Sequence, residues 1–329
     1  MMEHVFGPVM SRRLGRSLGV DPVPQKTCNW NCVYCQLGRS MPVTNERAEY
    51  FAAEEIVAQV EEAVKKKGVE NIDWVTITGS GEPTLHSGLG RIIQKAKEVT
   101  GLPVAVLTNG ALLYLPEVRQ ALAAADAVLP NLDAGSEELF RRINRPHPDI
   151  TFDRLLEGLI TFRREYSGKL WIEVVLVKGL NDTEEALRDL AATLGRIRPD
   201  GIHLNLPTRP PSEEWVEPSD EEGQLRARAI LGDVVPVMHA VEGTFDLAGY
   251  DDVVEAVIGI VTRHPMRQEE LERTLEEWWP GEVEQALEEL EASGRAQVVE
   301  RYGVKFWSGA GAYYPDESRG RAPESKQAD

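Results

Sequence analysis

From residue 53 onward the apolar positions switch repeatedly between two periods. Over 53–67, Ile56, Val60, Ala63 and Val64 fall three and four apart and Gly68 ends the run, which predicts a helix. Trp74–Thr78 is a short apolar run closed by Gly79, the pattern of a buried strand. The alternation then continues. Helices are predicted over 87–100, 115–125, 136–145, 152–167 and 182–197, the last with Asn181 or Asp182 as its cap. Strands are predicted over Pro103–Thr108, Ala127–Leu132, Leu170–Val177 and Ile202–Leu206. One more strand near Ser17–Asp21 makes six βα units. Apolar strands alternating with amphipathic helices predict an α/β fold, a parallel sheet covered by helices. The chain is too short in this region for a closed eight-fold barrel, and a six-unit partial barrel fits. In such folds the chemistry lies at the C-terminal ends of the strands.

The pattern changes after 206. Pro207, Pro210, Pro211 and Pro218 mark 207–218 as a loop, 219–231 is helical, and Val234–Met238 is an edge strand or a connector. Val253, Val257 and Val261 share a helical face. Two more helices follow, Arg267–Trp278 and Glu282–Ala292, joined at Pro280-Gly281. Ala296–Glu300 and Val304–Trp307 then alternate like a hairpin around Tyr302-Gly303. Three helices followed by a hairpin resemble a winged helix. The expected organisation is a core over 1–235, a connector at 236–250, a winged-helix-like domain over 251–310 and a disordered tail over 311–329.

Composition adds bounds. The 329 residues suggest about two domains, and 42% hydrophobic with 27% charged residues is ordinary globular usage. No run of 18 apolar residues occurs, so no membrane partner is expected, and the N-terminus lacks the apolar stretch of a signal peptide. Unpaired cysteines point to a reducing, cytoplasmic setting. A net charge of −18 opposes nonspecific binding to nucleic acid. Residues 1–40 differ: Arg12, Arg13, Arg16, Lys26 and Arg39 outweigh Glu3 and Asp21 to give +3. These arginines read equally as structural ion-pair partners or as substrate contacts, Arg12, Arg13 and Arg16 being the candidates. DNA is disfavoured as a partner, because 282–292 carries Glu282, Glu284, Glu288, Glu289 and Glu291 with no Lys or Arg. RNA stays open through the basic arm.

The chemistry centres on Cys28, Cys32 and Cys35, the only cysteines of the chain, spaced C-x3-C-x2-C. An odd count in a long chain does not fit a disulfide framework, and a structural zinc site wants four ligands. Three thiolates can instead ligate three irons of a four-iron cluster and leave the fourth open to a small molecule. Gly79-Ser80-Gly81-Glu82-Pro83-Thr84-Leu85 follows a strand, and its glycines let backbone approach a ligand while Glu82 offers a carboxylate to an ammonium group. Asn109 follows Thr108 at the next strand end. Asn131 and Asp133 end the fourth strand, as ligand contacts or as caps of the following helix. Glu173 lies inside the apolar run WIEVVLV and needs a ligand or a cationic partner. His203 and Asn205 share one strand face. They and Arg209 in the loop beyond are substrate candidates.

The cysteine motif, with Tyr34 before its last cysteine, resembles the cluster loop of the radical S-adenosylmethionine (SAM) superfamily. The Gly-Ser-Gly-Glu run is similar to that superfamily's Gly-Gly-Glu motif, with Ser80 as a departure. The resemblance implies a partial (β/α)6 barrel, a [4Fe–4S] cluster on Cys28, Cys32 and Cys35 as the catalytic centre, and SAM on the open iron. It places Glu82 at the methionine amino group and Tyr34 near the adenine. Gly79, Ser80, Gly81, Asn109, Asn131, Asp133 and Glu173 would lie beside SAM. An electron donor such as flavodoxin or ferredoxin is implied, with hydrogen abstraction from an unidentified substrate, in tRNA or elsewhere. Gly-Glu-Pro-Thr-Leu, Thr-Asn-Gly, Leu-Asp-Ala and Val-Lys-Gly at 177–179 look similar to the wyosine-type tRNA-modifying branch. That branch uses a second cluster, for which no cysteines remain, so its reaction is not expected here. The opening from Phe6 to Asp21 more closely resembles a bacterial and archaeal branch of unassigned reaction. The alternative is an iron–sulfur sensor acting through the winged-helix-like domain.

Overall fold

A computed structural model describes residues 4–11, 13–232, 234–235, 247 and 252–315. It opens with an antiparallel pair, β1 (Val5–Ser11) and β2 (Gly15–Val20). The basic arm of the sequence is thus a strand. Its Gly7-Pro8 bulge hides the alternation from a pattern reading. The chain then runs through α1 (Ala53–Lys67), β3 (Trp74–Ile77), α2 (Leu89–Thr100), β4 (Val104–Thr108), α3 (Pro116–Leu122), β5 (Ala127–Pro130), α4 (Glu137–Ile143) and α5 (Phe152–Glu165). It continues with β6 (Lys169–Val175), α6 (Glu184–Ile197), β7 (Gly201–Asn205), α7 (Glu221–Leu231) and β8 (Val234–Val235). Strands β2 to β8 are parallel, and the sheet order follows the chain order without a switch.

The strand side chains divide by face with period two. Val104, Val106 and Val128 join the large outer core against the helices, with Ile56, Ile93, Leu159, Phe162 and Leu190. Ala105, Leu107, Ala127 and Leu129 point the other way and pack with Leu14, Trp74 and Trp171. The sheet wraps around this second face. Arg13, in the β1–β2 turn, meets Glu173 on β6, whereas four inter-strand steps of a flat sheet would span about 19 Å.

Helix starts obey local capping chemistry. Ser136, Thr151, Thr183 and Asp220 each accept a hydrogen bond from the backbone N–H three residues on. Thr183, not Asn181 or Asp182, therefore caps α6. Those two are engaged elsewhere: Asn181 bonds Val177 N and the carbonyls of Asp133 and Val175, and Asp182 accepts from Ser219.

Residues 252–315 contain α8 (Val253–Val261), β9 (Met266–Arg267), α9 (Gln268–Trp278), α10 (Val283–Ala292), β10 (Ala296–Arg301) and β11 (Val304–Gly309). The strands form an antiparallel sheet in the order β10-β11-β9. Two-residue β9 is too short to show in the hydrophobic pattern. Val257, Val261, Leu271, Leu275, Leu290 and Trp307 make a core separate from that of the large sheet. The expected connector lies outside the described residues except for Leu247, as do 316–329 of the expected tail. The expectation of disorder fails for 311–315, which lie against the cysteine loop: Tyr313 O accepts from Arg39 N at 2.8 Å and the Tyr314 hydroxyl donates to Gln36 O at 2.5 Å. Among the described residues no helix is long and apolar enough to cross a membrane.

Candidate active site

The C-terminal strand ends surround a cavity of about 500 Å3. All three cysteines line it, on a long loop between β2 and α1. Packing and backbone bonds hold this loop. Trp30 is buried edge-on against Phe140, ring centroids 5.2 Å apart. Val33 N donates to Ile143 O at the end of α4, and Glu213 N donates to Val33 O. Glu213, buried in the 207–218 loop, also takes Arg39 and Arg145 as ion-pair partners at 2.7 and 2.5 Å.

Each sulfur has an N–H neighbour. Cys28 Sγ lies 3.4 Å from Trp30 N and 3.9 Å from Asn109 Nδ2. Cys32 Sγ lies 3.5 Å from Asn144 Nδ2, and Cys35 Sγ 3.4 Å from Lys26 Nζ. Burial, with Glu82 nearby, pushes the Cys28 thiol up to about 12. Burial and Asp133 push Cys32 up as well. Bare thiolates are thus disfavoured here, and a bound cation would be needed to hold them. None of the three is in a disulfide. Among the described residues no three His, Cys, Asp or Glu side chains converge on one ion. A four-iron cluster asks for something else, namely thiols that each meet a different iron, and the three cysteines line one cavity.

The Gly79–Leu85 segment is fastened to the start of the cysteine loop. Lys26 N donates to Ser80 O at 2.7 Å and Glu82 N to Thr27 O at 2.8 Å. A Cβ on Gly81 would sit 2.0 Å from Thr27 O, so this close approach requires glycine. Glu82 is buried and lines the cavity. Its Oε1 accepts from Thr84 N, Thr84 Oγ1 and Thr108 Oγ1, and its Oε2 from Asn109 N at 2.7 Å. Burial raises its pKa, and these four bonds oppose the rise. Gly79 lines the cavity too. Ser80 does not: its hydroxyl donates to Asp21 Oδ2 at 2.6 Å, away from the cavity.

Asn109, Asn131, Glu173, Asn205, Arg13 and Arg209 all line the cavity with Tyr34. Glu173 meets Arg13, so the charge inside the apolar strand has its cation, supplied by the N-terminal arm. Arg209 donates to Pro265 O. Three expected site residues besides Ser80 are placed elsewhere. Asp133 is buried beneath the cavity wall, accepting from Tyr34 OH, Asn144 Nδ2 and Val175 N, so it fixes Tyr34 rather than facing the cavity. His203 packs on Trp171 below the cavity, and burial with Arg13 holds its pKa down at about 4. Arg16 is half exposed and pairs with Asp73 at 3.0 Å, a structural ion pair. Arg12 lies outside the described residues.

Three features at or beside the cavity escape a pattern reading. Phe6 of β1 lies across Gly19, where a Cβ would be 2.2 Å from the ring. His264 reaches the cavity from the C-terminal unit, edge-on to Phe6 at 5.4 Å, with Nε2 buried and unpaired. Asn144 bridges Cys32 and Asp133. No periodicity or motif marks His264 or Asn144, and the opening motif that begins at Phe6 gives no sign of what its ring covers; only the fold brings them together.

The family model described as the Radical SAM superfamily matches residues 23–191. A UPF0026 protein of Methanocaldococcus jannaschii is 36% identical over 279 residues, covering 83% of this chain and 86% of that protein. A protein of Brachyspira hyodysenteriae named GTPase Obg is 40% identical over 263 residues, 78% of this chain but only 38% of that longer protein. Among solved structures, a radical SAM methyltransferase from Sphaerobacter thermophilus is 20% identical, with a TM-score of 0.49 over 68% of this chain and 66% of that one, a likeness that carries no argument by itself. The family match begins just before the cysteines and runs into α6, so it takes in the cysteines, Glu82 and the ends of β3 to β6 around one cavity: this chain belongs to the radical SAM superfamily.

Proposed function

We propose that the protein is an enzyme in which Cys28, Cys32 and Cys35 hold a [4Fe–4S] cluster and the adjoining cavity takes SAM and a substrate. The observation that carries this reading is that the three cysteines and the buried carboxylate Glu82 line one cavity at the strand ends. When bound, a cluster of this type with SAM supplies reductive cleavage of a C–S bond and a 5′-deoxyadenosyl radical that takes hydrogen from a substrate.

The chain's own groups do the rest. Glu82, fixed by four donors, presents a rigid acceptor for a ligand ammonium. Gly79 and Gly81 let backbone come close to the same ligand. Asn109 and Asn131 offer amides along the next two strand ends, and Tyr34 is held in place by Asp133. Arg13, Glu173, Asn205 and Arg209 form the far side, where a substrate would be recognised. Phe6, Leu107 and His264 keep water from that side, which a reactive radical requires.

In this reading residues 252–315 form a winged-helix-like unit that works as a wall of the active site. Its acidic helices do not suit nucleic-acid phosphates, and the organisation follows the division at 235 and 251. A reducing cytoplasm and a flavodoxin- or ferredoxin-type electron donor go with the cluster. RNA remains a candidate substrate class through the β1–β2 arm. The test is anaerobic reconstitution with iron and sulfide, then SAM and dithionite, with 5′-deoxyadenosine measured against Cys32→Ala. Product that requires Cys32 is expected. Zinc in place of a cluster, or a full cluster that never cleaves SAM, would overturn the proposal.

A further inference from the structure

We propose that Lys26, held against Cys35, raises the reduction potential of the cluster that the three cysteines carry, and so sets how strong a reductant the protein needs. The inference rests on the cluster reading above and adds a residue to it. Lys26 Nζ lies 3.4 Å from Cys35 Sγ. Cys28 and Cys32 meet amide N–H groups instead, from Trp30, Asn109 and Asn144. Cluster potential depends on net charge and on hydrogen bonds to the sulfurs. A reduced cluster carries one more negative charge than an oxidised one. A cation beside a ligating sulfur favours the reduced form, and more strongly in a buried site than in water.

Two further observations show that the ammonium is held there. The same Nζ donates to Gly38 O at 2.5 Å, which fixes the end of the side chain on the loop that carries Cys35. The Lys26 backbone is left-handed, φ 65°, a conformation that non-glycine residues adopt only when their surroundings impose it. The imposing contact is the bond from Lys26 N to Ser80 O. Ser80 is itself fixed by Asp21. The Gly79–Leu85 segment that carries Glu82 therefore also aims the Lys26 ammonium at Cys35. As it acts through Cys35, Lys26 is a positioning residue.

The test is a redox titration of the reconstituted full-length protein followed by electron paramagnetic resonance, without SAM, on wild type, Lys26→Gln and Lys26→Arg. Lys26→Gln is expected to bind as much iron as wild type. Its midpoint should move to more negative potential by at least a tenfold change in the redox equilibrium, about 59 mV for one electron. Lys26→Arg, which keeps the charge, should stay near wild type. A Lys26→Gln cluster that titrates with wild type overturns the inference. So does a folded Lys26→Gln protein that takes up no iron, since the residue then builds the loop instead of tuning the cluster. A wild-type protein that takes up no cluster gives a different signature, no signal in any variant. That result overturns the functional reading itself.

Discussion

Glu82 shows how much a single buried side chain does here. It satisfies Thr84 N, Thr84 Oγ1, Thr108 Oγ1 and Asn109 N, so Glu82→Ala strands donors from two strand ends. The expected loss is about 2–3 kcal/mol of stability in the cluster-free protein, measured by denaturant unfolding. A loss of SAM binding without a loss of stability would mean that these bonds are not held in solution. His203 gives a pH signature. Its pKa is held at about 4 by burial, then by Arg13, against an ordinary 6.5. Below 6.5 the unfolded chain takes a proton that the folded one refuses, so stability falls as pH drops from 6.5 towards 4. His203→Phe should make the melting temperature fall less steeply over that window, the remainder coming from His264 and His86, and an unchanged slope would refute the assignment. At this scale the sequence was legible where chemistry is local. The cysteines, Glu82 and Asn109 stand in short motifs at strand ends. Asp133 and Ser80 turn to neighbouring chain segments and Arg16 takes the ion-pair alternative of its two readings, because a polar residue near a strand end looks the same in sequence whether it faces a ligand or a neighbouring segment.

At the scale of elements, the five parallel strands from β3 to β7 were readable because each is a mostly apolar run closed by a turn signal, and β2 was expected from its place before the cysteine loop. β1 was not, since Gly7-Pro8 interrupts its alternation, and two-residue β9 was below any pattern. What no pattern could show is how loops lock together. Gly81 lies where the Glu82 segment crosses the cysteine loop, and a methyl group there would meet Thr27 O at 2.0 Å. Gly81→Ala must push the two loops apart. The expected result is a folded protein with unchanged helix content by circular dichroism and iron uptake reduced severalfold on reconstitution. Normal iron uptake would show that the contact yields without disturbing the cysteines.

For the whole molecule, the notable relation is between the large sheet and residues 252–315. Arg263 Nε donates to Asp21 Oδ2 at 3.0 Å, Gln36 Nε2 donates to Arg263 O, and Tyr302 OH donates to Pro207 O. With Tyr314 on Gln36 O, these bonds fix the smaller unit over the cysteine loop. The double variant Arg263→Ala, Tyr314→Phe should let a water-soluble iron chelator strip the reconstituted protein about tenfold faster, followed by loss of cluster absorbance. An unchanged rate would mean that the unit does not shield the loop. The same contacts impose an order on synthesis. Gln36 and Tyr314 are 278 positions apart, so as the chain leaves the ribosome the cysteine loop emerges long before its cover. In the cluster reading proposed above, an iron–sulfur donor would have an open target during that interval and a covered one afterwards. Holding the cover on a late segment would then make loading a cluster an early event in the life of each molecule, and replacing a lost one a slower task.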